Sequence, residues 1–465
     1  MLFWEAAVAN MLNLLQSPVG VVAMLLVAIM SVAAVLRPGL RLFMIGVALF
    51  AGTVVVQYNQ NFALFDQGLI APLATLQSYS RLLTFGMIAG LSLAALLSPR
   101  LTDKPLPWFP FALGALLVLS SLIRGLFTDE NRIIFEIPAI FVAFTVLAWA
   151  LPRWLVNPQD IRGPLFMIGA VLATFVVANL VQLSINRAPT FVTGNNRFRG
   201  IAANPIYFGT VVVAGLPALL YLIHEKSFGI YVRLAAVVTI AFAIIMVLST
   251  GSRGPTWTAA ACVLVFYRFR LGRFAFAGLG VGIAIYFVIG LFSSELIGSD
   301  RVFDTTNSRA AVWAGQWEGF LSSPLVGIGI TRGIVDFGEN SYLAVAASFG
   351  IVGLIPLGIF LAGCGWLMIK LMYACRLKSQ YQNGYNACLS AMFAILMTCL
   401  FEVMLLGVFS TQVYSLLIYI AVGTHALYWH GRELNGNTGW QSGLDDSAQF
   451  EQSPSSEREF ETVGA

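Results

Sequence analysis

Charge is what this sequence has least of. Asp, Glu, Lys and Arg make up 10% of its 465 residues, where ordinary soluble domains carry roughly a quarter. Hydrophobic residues reach 58% and the mean hydropathy is +0.82. So little charge cannot keep a globule of this size in water, which excludes a soluble enzyme and points to a polytopic membrane protein. The formal net charge of +4 is too small and too scattered to attract nucleic acid. Cysteine is also scarce. Cys262, Cys364, Cys375, Cys388 and Cys399 lie in or beside apolar segments without metal-like spacing, so neither a disulfide framework nor a zinc site is implied, and packing is their expected role. Met1 to Gln16 lacks the basic region of a cleaved signal peptide, so the N-terminus is expected to be retained.

What is present is a series of apolar runs. They fall near 18–36, 40–56, 79–98, 108–124, 133–151, 164–185, 205–223, 232–249, 255–270, 273–293, 343–373, 384–405 and 408–428, each near the length that crosses a bilayer as a helix. They are too long and too continuously apolar for barrel strands. The expected fold is therefore all-α, a polytopic transmembrane helical bundle of about 12–13 helices. Residues 1–430 would form it, with one larger loop, 294–342, inserted and containing an interfacial helix. The Gly-, Ser-, Gln- and acid-rich stretch 431–465 reads as a disordered cytoplasmic tail. Neither a solenoid repeat nor an inverted pair of Gly/Pro-broken helices is evident.

Lysine is missing from every second connection. Lys104, Lys226, Lys370 and Lys378 fall at alternate connections or helix ends, together with Arg37, Arg41, Arg100, Arg153, Arg162, Arg233, Arg268, Arg270, Arg273 and Arg376. By the positive-inside rule that side is cytoplasmic. The other side carries Arg124, Arg132, Arg187, Arg197, Arg199, Arg253, Arg301, Arg309 and Arg332. Arginine alone, against the topological preference, suggests recognition of phosphate by the planar guanidinium fork. The alternative is that these arginines pair with Asp129, Glu130, Glu295, Asp300, Asp304 and Asp336.

Three blocks on that side carry the candidate chemistry. In the first, Arg197-Phe198-Arg199-Gly200 precedes Asn204-Pro205, which would present Arg199 beside a helix N-terminus; alternatively, the loop simply caps the helix through Asn204. The second, Ser249 to Pro255, is a tight turn that would hold Arg253 with little freedom, as a pre-organised phosphate ligand or as a snorkelling anchor. The third runs from Ser294 to Leu343. Ser308 can cap a helix with Val312, Trp313, Trp317 and Phe320 at helical spacing and Arg309, Gln316 and Glu318 on other faces, lying along the interface. Glu339 and Asn340 follow just before the next span. Glu339 is read either as a helix cap or as a general base.

In order and spacing these blocks resemble those of the O-antigen ligase and polymerase superfamily, bacterial membrane enzymes with a Wzy_C-type domain. The matching pieces are Arg199-Gly200 with Asn204-Pro205, then Ser252-Arg253-Gly254. The last runs from Arg309 and Trp313 through Pro324-Leu325-Val326-Gly327-Ile328-Gly329 to Asn340-Ser341-Tyr342-Leu343 and Gly350-Ile351-Val352-Gly353. The likeness covers roughly 195–355. It implies a GT-C-like fold in the bacterial inner membrane with its active site facing the periplasm. The reaction implied is en bloc transfer of a glycan from undecaprenyl pyrophosphate to a sugar hydroxyl, with inversion and with no metal, cofactor or nucleotide sugar. Arg199 and Arg253 would hold the pyrophosphate and Glu339 would act as base. Arg197, Arg301, Arg309, Asn204, Asn340, Tyr342 and Trp313 would contribute to substrate binding. Implied partners are the lipid-linked glycan donor, a glycan or lipid A-core acceptor, the bilayer and other polysaccharide-assembly proteins.

Ligases of the family typically have histidine where this chain has Glu339, and His224, His425 and His430 all fall at expected cytoplasmic ends. The substitution moves the reading from ligase toward a surface polysaccharide or O-antigen polymerase. A transporter of small anions or lipid-linked sugars is the alternative of a different class. It would need polar groups near mid-bilayer, whereas the spans here are nearly charge-free, with Glu136 and Glu402 near outer ends.

Overall fold

The computed structural model describes residues 17–54, 68–97, 106–128, 133–192, 197–202, 204–271, 309–329, 340–376, 381–406 and 410–434. Among these the chain is an all-α bundle without strands. Its helices are α1 (Pro18–Leu36), α2 (Pro38–Thr53), α3 (Ala71–Leu97), α4 (Pro110–Thr128), α5 (Ile133–Phe144), α6 (Arg162–Ile185), α7 (Pro205–His224), α8 (Ile230–Ser249), α9 (Arg253–Leu271), α10 (Arg309–Ser322), α11 (Ser341–Arg376), α12 (Gln382–Thr398) and α13 (Thr411–Leu434). α5 runs on through a π-helical stretch, Thr145–Ala150, into a last turn at Leu151–Trp154. Among the described residues six helical segments are long and apolar enough to cross a membrane, the architecture of a multi-pass membrane protein. The expected span 273–293 lies outside the described residues, as does the tail beyond Leu434. α3 begins at Ala71, earlier than its hydropathy run implied.

α7 is the centre. Its sequence is apolar on every face, and 83% of its apolar window is buried, against 28% for α8 at the rim. A helix apolar all round belongs in a core. α6, α8, α9, α12 and α13 pack around it, and small residues set the approach. A side chain at Gly209 would strike Pro255 of α9, and one at Gly215 would strike Leu172 of α6. This is the usual means by which membrane helices come close. α8 turns Ile230, Leu234, Val237, Ile244 and Ile245 outward.

The two ends of the bundle carry different groups. At one end Arg162 pairs with Glu225 at 3.3 Å, His224 Nε2 lies 2.7 Å from the Tyr267 hydroxyl, Arg270 donates to Asn383 Oδ1, and His425 Nε2 lies 2.9 Å from the Asn157 carbonyl oxygen. His430 packs edge-on against Tyr385 of the same region. All three histidines of the chain are therefore at this end. The opposite end gathers the connections that hold Arg197, Arg199, Arg253, Arg309 and Asn340.

One feature of that second end was hidden in the hydropathy. α11 is interrupted at Gly350, whose φ of 58° and ψ of −150° are not helical. The segment 324–329 docks into the interruption backbone to backbone. Ile328 and Gly329 donate to the carbonyls of Ala347 and Ser348, at 2.9 and 3.2 Å, while Ile351 and Val352 donate to those of Pro324 and Leu325, at 2.8 and 3.2 Å. A Cβ at Gly350 would lie 2.6 Å from the Leu325 and Pro324 backbone. Gly350→Ala is therefore expected to lower thermal stability in detergent by about 1–3 kcal/mol, from strain at positive φ plus the overlap. Gly358→Ala, in open space on the same helix, should be neutral or stabilising by up to about 1 kcal/mol. Equal melting temperatures for the two variants would contradict this account.

Candidate functional site

The first block is a turn fastened to α6. Gly200 has φ 60°, and a side chain there would collide with Asn179, so the position admits glycine only. Asn179, fully buried in the last third of α6, accepts from the Ile201 amide at 2.8 Å. The amides of Arg199 and Gly200 both donate to the Thr190 carbonyl, at 2.8 and 3.0 Å. Arg199 is consequently not presented at the surface as expected. It is 9% exposed, its Nε donates to the Pro189 carbonyl at 2.9 Å, and burial pushes its pKa below the ordinary guanidinium value. It stays cationic but has lost much of its hydration, the condition under which an anion binds it most strongly. Asn204 is the N-cap of α7, accepting from Tyr207 N at 2.7 Å. That is a structural duty, and the Tyr207 hydroxyl in turn donates to Gly52 O of α2 at 2.7 Å.

Arg197 ties this block to the second. Its Nε donates to Thr250 O and its Nη2 to Ser252 Oγ, both at 2.8 Å, and the Phe198 amide donates to Ser249 O at 3.1 Å. The turn 249–252 closes with Gly251 at φ 59°. Arg253 then opens α9, half-buried. A cation at the first helical position stands at the positive dipole end of the helix, so charge and dipole favour an anion together.

The third block meets the second through the chain after α12. The hydropathy run 384–405 suggested a helix throughout, but α12 stops at Thr398 because other side chains take over the backbone that follows. Arg309 Nη1 donates to Phe401 O at 2.6 Å and its Nη2 pairs with Glu402 at 3.2 Å. Ser341 Oγ donates to Glu402 O at 2.6 Å and accepts from Met404 N at 2.9 Å, and the Ser341 amide donates to Cys399 O at 2.8 Å. A side chain at Gly254 would touch Phe401 at 3.0 Å, which places this segment directly beside the start of α9. Arg309 thus acts as a clamp, and Glu402, an acid the sequence did not single out as an arginine partner, pairs with it.

α10 covers 309–322 as its spacing suggested, but it faces differently. Its inward stripe is Arg309, Val312, Trp313, Gln316, Gly319 and Phe320, so Arg309 and Gln316 share the buried side, while Trp317 is 49% exposed. Asn340, expected to bind substrate, caps α11: its Oδ1 accepts from Tyr342 N at 2.9 Å and Leu343 N at 3.1 Å. Tyr342 is likewise structural, its hydroxyl donating to Leu396 O at 2.7 Å. Glu339, Arg301 and Ser308, and the acids Asp129, Glu130, Glu295, Asp300, Asp304 and Asp336, lie outside the described residues.

The bundle therefore brings Arg197, Arg253 and Arg309 together around Ser252 and the 399–404 segment, with Arg199 on the adjoining turn. Sequence reasoning gave no role to Asn179, Ser341 or Glu402 and did not place Gln316 on the inward face. A lone polar residue inside an apolar run, as at Asn179, is the one signal that could have found any of them. No protein-family model matches the chain, and no curated protein is detectably similar to it.

The caps allow a direct check. Asn340→Ser keeps a side-chain oxygen and should hold the melting temperature near wild type, whereas Asn340→Ala should cost about 1 kcal/mol. Equal destabilisation by both would show that Asn340 does something other than cap α11.

Proposed function

We propose that the chain is a membrane glycosyltransferase that moves a glycan en bloc from undecaprenyl pyrophosphate to a sugar hydroxyl, and that it is a polymerase of surface polysaccharide of the O-antigen type. The observation that carries this reading is the convergence of Arg197, Arg253 and Arg309, from three separate segments, on one end of a membrane bundle. That end lies opposite the one holding Arg162, Arg268, Arg270 and the lysine-bearing connections, which the positive-inside rule assigns to the cytoplasm; the site then faces the periplasm of the inner membrane.

The chemistry follows from charge. As the glycosidic bond to the anomeric carbon breaks, the bonding electrons pass to pyrophosphate. Arg253, the positive dipole end of α9 and the poorly hydrated Arg199 are the groups suited to receive that charge. Fixed donors of this kind contribute about 2.7–4 kcal/mol each to a developing anion. Arg197 and Arg309 act through position, one holding the 250–252 turn and the other the 401–402 backbone. Glu339 takes the proton of the attacking hydroxyl as the new bond forms on the opposite face of the sugar. Two facts support that assignment: the cap of α11 is supplied by Asn340, and every histidine of the chain sits at the far end. The GT-C-like class and the periplasmic loop belong to the same proposal. The interruption of α11 does not favour a transporter, because its freed backbone groups are spent on 324–329 rather than left for an ion.

Purified protein given a single undecaprenyl-pyrophosphate oligosaccharide is expected to make longer lipid-linked chains. Reaction only after addition of lipid A-core would mean ligase, and solute uptake into proteoliposomes without glycan product would mean transporter. Arg253→Ala and Glu339→Gln should each lower transfer by about a hundredfold or more, with normal protein level and membrane insertion. Activity retained in both variants would sink the mechanism.

A further inference from the structure

Gln316 is the only fully buried residue of α10, at 2% exposure, and it is polar. Among the described residues neither its Nε2 nor its Oε1 meets a hydrogen-bond partner, and the same is true of the indole Nε1 of Trp313, one turn earlier on the same face. Folded proteins satisfy nearly all such atoms, because a buried amide without partners carries its desolvation cost unrepaid. Methionine or leucine would fill the position at no such cost. Glutamine here is therefore a destabilising choice, of the kind retained where function needs it.

The two amide atoms also restrict what could satisfy them. A ligand must accept from Nε2 and donate to Oε1, whichever way round the amide is drawn. An ionised pyrophosphate offers only acceptors, and a polyprenyl tail offers neither. A pair of sugar hydroxyls, or an acetamido group with its N–H and C=O, offers both, and the Trp313 indole supplies a further donor. The stripe that carries both residues begins at Arg309, whose clamp on Phe401 and Glu402 puts the start of α10 beside Arg253.

We infer that Gln316 and the Trp313 indole N–H form a sugar-binding subsite that reads a hydroxyl pair or an acetamido group of the glycan, an inference that rests on the glycan-transfer reading above. The test is Gln316→Met, which keeps the volume and removes both polar atoms, in the full-length protein in detergent. The melting temperature should be unchanged or raised. Transfer of the lipid-linked oligosaccharide should fall about tenfold or more in kcat/KM. Thermal protection by undecaprenyl-pyrophosphate oligosaccharide should weaken, while protection by undecaprenyl pyrophosphate without sugar should persist. Wild-type transfer and protection in the variant would mean that the amide serves no glycan and would overturn the subsite. A lowered melting temperature with loss of protection by both lipids would overturn it equally, as the mark of a structural residue. In either case activity in the wild type and its loss in Arg253→Ala would leave the glycan-transfer reading standing, whereas a wild type that neither transfers nor responds to the glycan lipid would remove both.

Discussion

Inside an apolar bundle every peptide group that leaves a helix must find another partner, and the candidate site is assembled from the places where this chain meets that demand. α11 breaks at Gly350, and its carbonyls and amides pair with the backbone of 324–329. α12 ends at Thr398, and the exposed backbone of 399–404 is taken up by Ser341 and Arg309. The turn before α9 is closed by Arg197. Each repair draws a residue from a distant segment, so satisfying the backbone and gathering the cations are one event.

On the proposed glycan-transfer reading, this rigidity would serve the chemistry. A cation that also holds the fold cannot relax when charge develops nearby, and donors that need no reorganisation are those that stabilise a transition state most. Arg197 and Arg309 are bound into the frame, and Arg199 sits on a turn that Gly200 and Asn179 make rigid. Arg253 stands at the helix start that this frame surrounds. The cost of the arrangement appears on α10, where Gln316 occupies a position that packing alone would give to an aliphatic side chain.

The core behind the site obeys simpler rules. α7 is apolar on all faces and takes the centre, and Gly209 and Gly215 let α9 and α6 approach it. Its cap, Asn204, and the Tyr207 hydroxyl connect that core to the 197–202 turn and to α2. Stability and site geometry therefore meet in the first turn of α7.

Composition and hydropathy alone determined that this is an all-α, multi-pass helical bundle and where most of its helices run. These properties are sums over residues, and sums are legible in one dimension. Gly200 was legible too, because only glycine tolerates the backbone angle that its turn needs. The tertiary structure alone decided that α12 stops at Thr398, that α11 breaks at Gly350, that Glu402 pairs with Arg309, that Asn340 caps, and that Gln316 faces inward while Trp317 faces out. Each of these depends on which partner arrives through space to satisfy a backbone or side-chain group, and hydropathy does not record where that partner comes from.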